Sequence, residues 1–170
     1  MKKILTLFAV VGLAVFSSCS NDDVDNDTIS EVFELQNISF DFNNTDGYNI
    51  YQKLNPTIFD SDNILIYRLA GTIDSNTPIW QLIPRTLYLP NSRELDYDYD
   101  FSKEDFTIYA RANYDLETTP EFLDNQTFRI VIVPGAFSGT GKSVNKEDYS
   151  DYNAVIKKYK IDDSNVKKLN

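Results

Sequence analysis

The chain contains no histidine and a single cysteine, Cys19. Without an imidazole there is no Ser-His-Asp triad, no histidine general base poised near neutral pH and no histidine metal ligand. One thiol closes no intrachain disulfide and builds no thiolate zinc site. The fold therefore has to stand without covalent or metal staples. Positive charge is also in short supply: 16 Lys and Arg face 26 Asp and Glu, for a net charge of −10. Such a surface repels nucleic acid and anionic membrane, and suits divalent cations or neutral and basic partners. Length is the last limit. The apolar run Ile4 to Phe16 is shorter than the roughly 20 residues a membrane span needs.

What that run does match is the apolar centre of a secretory signal peptide, preceded by Lys2 and Lys3 and followed by small Ser17 and Ser18. Phe16-Ser17-Ser18-Cys19 resembles a lipobox, with Phe where Leu is more usual. It implies cleavage before Cys19, a diacylglyceryl thioether on Cys19 and acylation of the new N-terminus. Two or three acyl chains anchor firmly, at about 0.8 kcal/mol per buried methylene. A plain secreted protein is the weaker reading, because the only cysteine sits where acylation needs it.

Residues 19–30 form an acidic polar run, Ser20-Asn21-Asp22-Asp23-Val24-Asp25-Asn26-Asp27 and onward, with too little apolar surface to fold. They read as a tether. Acidic residues directly after the cysteine resemble the surface-export signal of Bacteroidetes lipoproteins, and Asp27-Thr28-Ile29 resembles that phylum's O-glycosylation pattern. The expected address is the outer membrane, lipid-anchored and exposed at the cell surface, with Thr28 a candidate glycosylation site.

Beyond the tether the period is mostly two. Glu31 to Phe42 reads as a strand that changes phase at Gln36-Asn37, implying a bulge or short break. Tyr48 to Leu54 follows the turn Asn43 to Gly47. Asn63 to Leu69 is nearly all apolar and fits a strand buried on both faces. Ile79 to Leu89 carries Pro84, which predicts an edge or bulged strand. Glu94 to Phe101 alternates strictly, Asp105 to Asn113 alternates again, and Tyr114 to Asn125 is a loop with a helical turn near Pro120. Gln126 to Val133 is the strongest strand, with Phe128, Ile130 and Ile132 on one side and Val131 and Val133 on the other. Near the C-terminus Tyr149, Tyr152, Val155, Ile156 and Tyr159 recur at helical spacing. Asn145 is the expected N-cap, and Ile161 to Asn170 is expected to add a further turn.

The expected fold is mainly β: an antiparallel β-sandwich of about seven or eight strands with a short C-terminal helix. The expected organisation is 1–18 signal peptide, 19–30 tether, 31–134 β-sandwich, and 135–170 a Gly/Ser turn and helix packed on the same domain. Four segments, Asn63 to Leu69, Ile79 to Pro84, Leu95 to Phe101 and Gln126 to Pro134, resemble in that order a family of small flavobacterial-type Bacteroidetes lipoproteins. Some members carry a collagen-like segment before the domain, which this chain lacks. The resemblance covers roughly residues 30 to 165. It implies the fold and the address and brings no catalytic residues.

Four constellations bear on chemistry. Ala136 to Ser143, with Gly141, Lys142 and Ser143, fits a relaxed Walker A pattern after a strand. Antiparallel strands precede it and too few residues follow for the strands of a nucleotide fold, so it reads as a Gly-Ser turn and no nucleotide is expected. Asp23, Asp25, Asp27, Glu31 and Glu34 have EF-hand-like spacing, but Thr28 stands where the loop requires Gly. Asp96, Asp98 and Asp100 share one strand face, roughly 7 Å apart along it; they face water, pair with Arg111 or Arg129, or hold calcium. Trp80 and the tyrosines are candidates for a sugar-stacking platform, but Trp80 lies between Ile79 and Leu82 in a strand, where core packing is the stronger reading. With so many acids, some carboxylate pair always seems to suit glycoside hydrolysis, which gives that chemistry no support. The functional expectation is a non-catalytic surface lipoprotein presenting a β-sandwich for protein contact or envelope structure. A glycan-binding accessory module is the alternative, and a carboxylate-only hydrolase a remote one.

Overall fold

The computed structural model describes residues 31–135 and 149–169. Cys19, Thr28, Asn145 and the Gly141-Lys142-Ser143 motif lie outside the described residues.

Two five-stranded sheets pack face to face. In chain order the strands are β1 Val32–Ile38, β2 Asp41–Asn43, β3 Gly47–Lys53, β4 Asn63–Thr72, β5 Pro78–Leu82, β6 Arg85–Leu89, β7 Arg93–Phe101, β8 Asp105–Ala112, β9 Gln126–Val133 and β10 Lys167–Leu169. One helix, α1, spans Tyr152–Tyr159. The first sheet runs β10-β1-β9-β4-β5 and the second β2-β3-β8-β7-β6. Every pairing is antiparallel except β1 with β10, which is parallel. The architecture is the expected mainly β sandwich with a short C-terminal helix.

The strands exceed seven or eight for physical reasons. Two stretches that read as single strands change sheets midway. Glu31 to Phe42 breaks at its phase change, where the β1–β9 register shifts between Leu35 and Ile38 and Asn37 takes a positive φ of 53°. The chain then crosses through Ser39 and Phe40 into β2. Ile79 to Leu89 is cut at Ile83-Pro84: β5 ends one edge of the first sheet and β6 one edge of the second. An edge position is what Pro84 predicted, because proline donates no ladder hydrogen bond. A turn falls at Ser164 and Asn165, as expected after Ile161, and β10 then adds a short parallel edge to β1.

Alternation decides the core. Phe33 and Leu35 of β1, Ile64 and Ile66 of β4, and Phe128, Ile130 and Ile132 of β9 meet Ile50, Leu95, Tyr97, Phe106 and Ile108 of the second sheet. Full burial of each such side chain is worth about 1.5–3 kcal/mol. The loop 114–125 closes one end through two single-turn 3-10 helices, Leu116–Thr118 and Pro120–Phe122. Tyr97 Oη donates to Phe122 O at 2.6 Å, and Phe40 N to Leu123 O at 3.0 Å, so the buried polar ends of the core are satisfied by this loop.

The first sheet has a second buried face. Tyr67, Val131 and Val133 point outward and are covered by Tyr152, Val155, Tyr159 and Ile161. This is why β4 and β9 read as apolar on both sides. Helix α1 begins at Tyr152 and is capped by Asp151, whose carboxylate accepts from Ala154 N at 3.1 Å. Asp151 is thus the cap of α1, and the expected cap Asn145 lies outside the described residues. Lys157 and Lys158 lie in the last turn, where their charge suits the helix dipole, and Lys160 ends the helix in the left-handed region.

Candidate functional site

The two outer faces of the sandwich differ sharply. On the first sheet, a single row of residues crosses the strands in register: Lys168, Glu34, Arg129, Tyr67 and Leu82. Arg129 sits on the face that α1 covers, where a cation must find partners. Its Nε donates to Glu34 Oε2 at 2.8 Å, and its Nη1 donates to Tyr152 Oη at 2.7 Å. Tyr152 Oη donates onward to Asp163 Oδ2 at 2.8 Å. The guanidinium lies 4.5 Å from the Trp80 ring and 5.2 Å from the Tyr152 ring. Glu34, 5% exposed, also accepts from Gln36 Nε2.

Burial works against the Arg129 charge, but the bond to Glu34 and the Tyr152 contact outweigh it and raise its pKa. Burial, then the bond to Asp163, raises the Tyr152 phenol well above its ordinary value. The bonds from Arg129 to Tyr152 and from Tyr152 to Asp163 hold α1 and the segment after it to the sheet. The Trp80 indole nitrogen is buried and has no hydrogen-bond partner among the described residues.

This arrangement corrects one expectation. Arg129 is no partner of Asp96, Asp98 or Asp100, because β9 and β7 belong to different sheets. Glu34, which completed the EF-hand-like spacing, is committed to Arg129. Trp80 is half-buried and packs against the cluster of α1, with its ring 5.8 Å from that of Tyr152. It forms no open stacking platform.

On the second sheet, no element among the described residues packs over the outer face. Register places Asp41, Asn49, Tyr51 and Lys53 beside Asp105, Thr107, Tyr109 and Arg111, and then Glu94, Asp96, Asp98 and Asp100 beside Thr86 and Tyr88. Asp96 lies directly opposite Arg111, as the strand pattern suggested. Arg111 stacks on Tyr109 at 4.9 Å. The aspartates are tied to neutral donors: Asp96 accepts from Thr86 Oγ1, Asp98 from Tyr99 N at 2.8 Å, and Asp100 from Tyr109 Oη at 2.9 Å. Tyr51 Oη donates to Asp105 at 3.1 Å.

A shallow hollow of about 270 Å³ lies between Thr86, Asp96, Asp98 and Arg111. Among the described residues no three His, Cys, Asp or Glu side chains converge into a metal-holding group. Asp96, Asp98 and Asp100 thus share a face, as expected, but stand in a row along it. Tyr88 is 79% and Tyr51 60% exposed, which puts apolar rings on an otherwise acidic surface. The sequence pointed to the tyrosines only as a group, without separating Tyr51 and Tyr88 from the buried ones. Their signal was present: each sits at the outward phase of a strand whose inward phase is apolar.

No protein-family model, curated protein or solved structure matches the chain.

Proposed function

We propose that this is a non-catalytic lipoprotein, acylated at Cys19 and held at the outer membrane surface, that presents the open face of its second sheet to a basic protein partner. What supports this is the contrast between the sheets. Helix α1 covers the outer face of the first sheet, whereas no element among the described residues covers that of the second. The bare face carries Asp41, Glu94, Asp96, Asp98, Asp100 and Asp105 against Lys53 and Arg111. Exposed tyrosines are typical of protein interfaces, and an uneven charge of this kind steers a partner of opposite sign. The lipobox-like Phe16 to Cys19, the acidic tether and the resemblance to small Bacteroidetes lipoproteins agree with the address. The glycan-binding alternative loses its best candidate, since Trp80 lies beneath Arg129.

The test is photo-crosslinking on intact cells, with the crosslinker at Tyr51 or Tyr88 and, as a control, at Lys157 on α1. Adducts to one protein are expected from the two tyrosine positions and not from Lys157. They should vanish when Asp96 and Asp100 are changed to Lys in a protein that melts normally. Adducts that ignore the charge reversal, or that arise equally from Lys157, would refute the proposal.

A further inference from the structure

The two sheets do not close evenly. Strand β2 pairs only with the Gly47 to Asn49 end of β3, so among the described residues Ile50 to Lys53 forms a free edge. Across from it the first sheet ends in β10, only three residues long. Between these edges opens a cavity of about 430 Å³, within the range of small-molecule sites. Its floor is apolar: Val32 and Phe33 of β1, Leu54 after β3, Ile132 of β9 and Leu169 of β10. Phe33, Leu54 and Ile132 belong to the inner core, so the cavity reaches between the sheets.

Its rim carries Lys53, Lys160 and Lys167, contributed by three separate segments. Among the described residues, none of the three has a carboxylate within ion-pair distance. In a chain of net charge −10, three unpaired lysines around one apolar cavity is a local reversal of sign. Two carboxylates also line it, Glu31 and Asp162. Asp162 is engaged by Ser164, accepting from its N at 3.0 Å and its Oγ at 2.6 Å. With both acids present, the rim suits one negative group and not a polyanion.

We propose that this cleft binds a small amphipathic anion, an alkyl or aryl chain ending in one carboxylate, phosphate or sulfate, with its apolar part on Phe33, Leu54 and Ile132 and its charge among Lys53, Lys160 and Lys167. The cleft shares only Lys53 with the margin of the acidic face, and its apolar floor lies between the sheets, so its failure would leave that reading untouched.

The probe is decanoate, kept below its micelle-forming concentration and titrated calorimetrically into the full-length protein, with amide chemical shifts followed in parallel. One-to-one binding is expected, with shifts at Val32, Leu54 and Leu169. Acetate, which lacks the chain, and 1-decanol, which lacks the charge, should bind more weakly. The triple variant Lys53→Gln, Lys160→Gln, Lys167→Gln should melt as the parent does, because all three side chains are exposed. It should bind decanoate roughly tenfold or more weakly, since exposed charge pairs contribute a few-fold each. In the unaltered protein the affinity should fall as salt rises. No binding at millimolar decanoate, unchanged affinity in the triple variant, or shifts confined to another surface would each overturn the proposal. Shifts at the cleft that follow protein concentration instead of decanoate would assign it to a second copy of the chain and overturn it equally.

Discussion

Replacing Arg129 with Met should be among the most damaging single changes outside the inner core. The substitution keeps the apolar stem and removes the charged head. It breaks the 2.8 Å pair with Glu34, the 2.7 Å bond to Tyr152 and the stacking on Trp80. The lost attraction is the smaller part of the cost. Glu34, 5% exposed, is left as a buried charge without its counter-ion. Removing one partner of a buried pair costs about 3–5 kcal/mol. The Arg129 side chain is 17% exposed, so the low end, about 3 kcal/mol, is the expected loss. Changing Glu34 to Leu as well should recover most of it, because an apolar pair of similar volume avoids the desolvation cost. Urea unfolding is the assay, with far-UV circular dichroism for the sheets and Trp80 fluorescence for the cluster. At about 1–3 kcal/mol per molar urea, the midpoint should fall by about 1 M or more. A loss below about 1 kcal/mol, or a double variant no more stable than Arg129→Met, would refute the claim that this network clamps the helix to the sheet.

The remaining expectations are smaller or simpler. Burial pushes the Tyr97 and Tyr99 phenols up to about 12, above their ordinary 10.0. The folded state therefore holds these protons longer than the unfolded chain. Their contribution to stability is complete below pH 10 and is lost as pH rises toward 12, so unfolding midpoints should fall across that window together with tyrosinate absorbance. A midpoint that stays constant from pH 9 to 12 would contradict this. Asp151→Ala removes the cap on α1 and should cost about 1 kcal/mol by the same urea assay, while Asp151→Ser should cost almost nothing. Cys19→Ala should move the protein from the membrane fraction to the soluble fraction and abolish incorporation of labelled palmitate; retention in the membrane with label would contradict the acylation assignment.

Where a strand keeps one face on the core, its residues announced it. Phe128, Ile130 and Ile132 against Val131 and Val133 gave β9 its bounds, and Leu95 and Tyr97 against Asp96 and Asp98 gave β7 its two faces. Periodicity also located α1, through Tyr152, Val155, Ile156 and Tyr159. It failed where pairing and not pattern decides. Pro84 marks an edge, but nothing local says that Ile79 to Leu82 and Arg85 to Leu89 belong to different sheets. Lys167 to Leu169 has no periodicity to detect; it is a strand because β1 offers it an edge. Asn145 and Asp151 are equally good capping residues by type, so the pattern alone did not single out Asp151, which caps α1. For the candidate sites, the row of aspartates was legible and their partners only half so. Arg111 is opposite Asp96, whereas Arg129, a cation on the same outward phase as Val131 and Val133, needed a covered face and hence a buried carboxylate. The lysine-rimmed cleft draws on segments far apart in the chain and left no local trace.

The central claim, that the second sheet's outer face is a contact surface while the first is sealed by the chain itself, is tested most directly by hydroxyl-radical footprinting. Tyr51, Tyr88 and Tyr109 should be oxidised readily in the purified protein and protected on intact cells, with buried Tyr67 and Tyr152 unreactive in both. Equal oxidation of Tyr51 and Tyr88 on cells and in solution would contradict it.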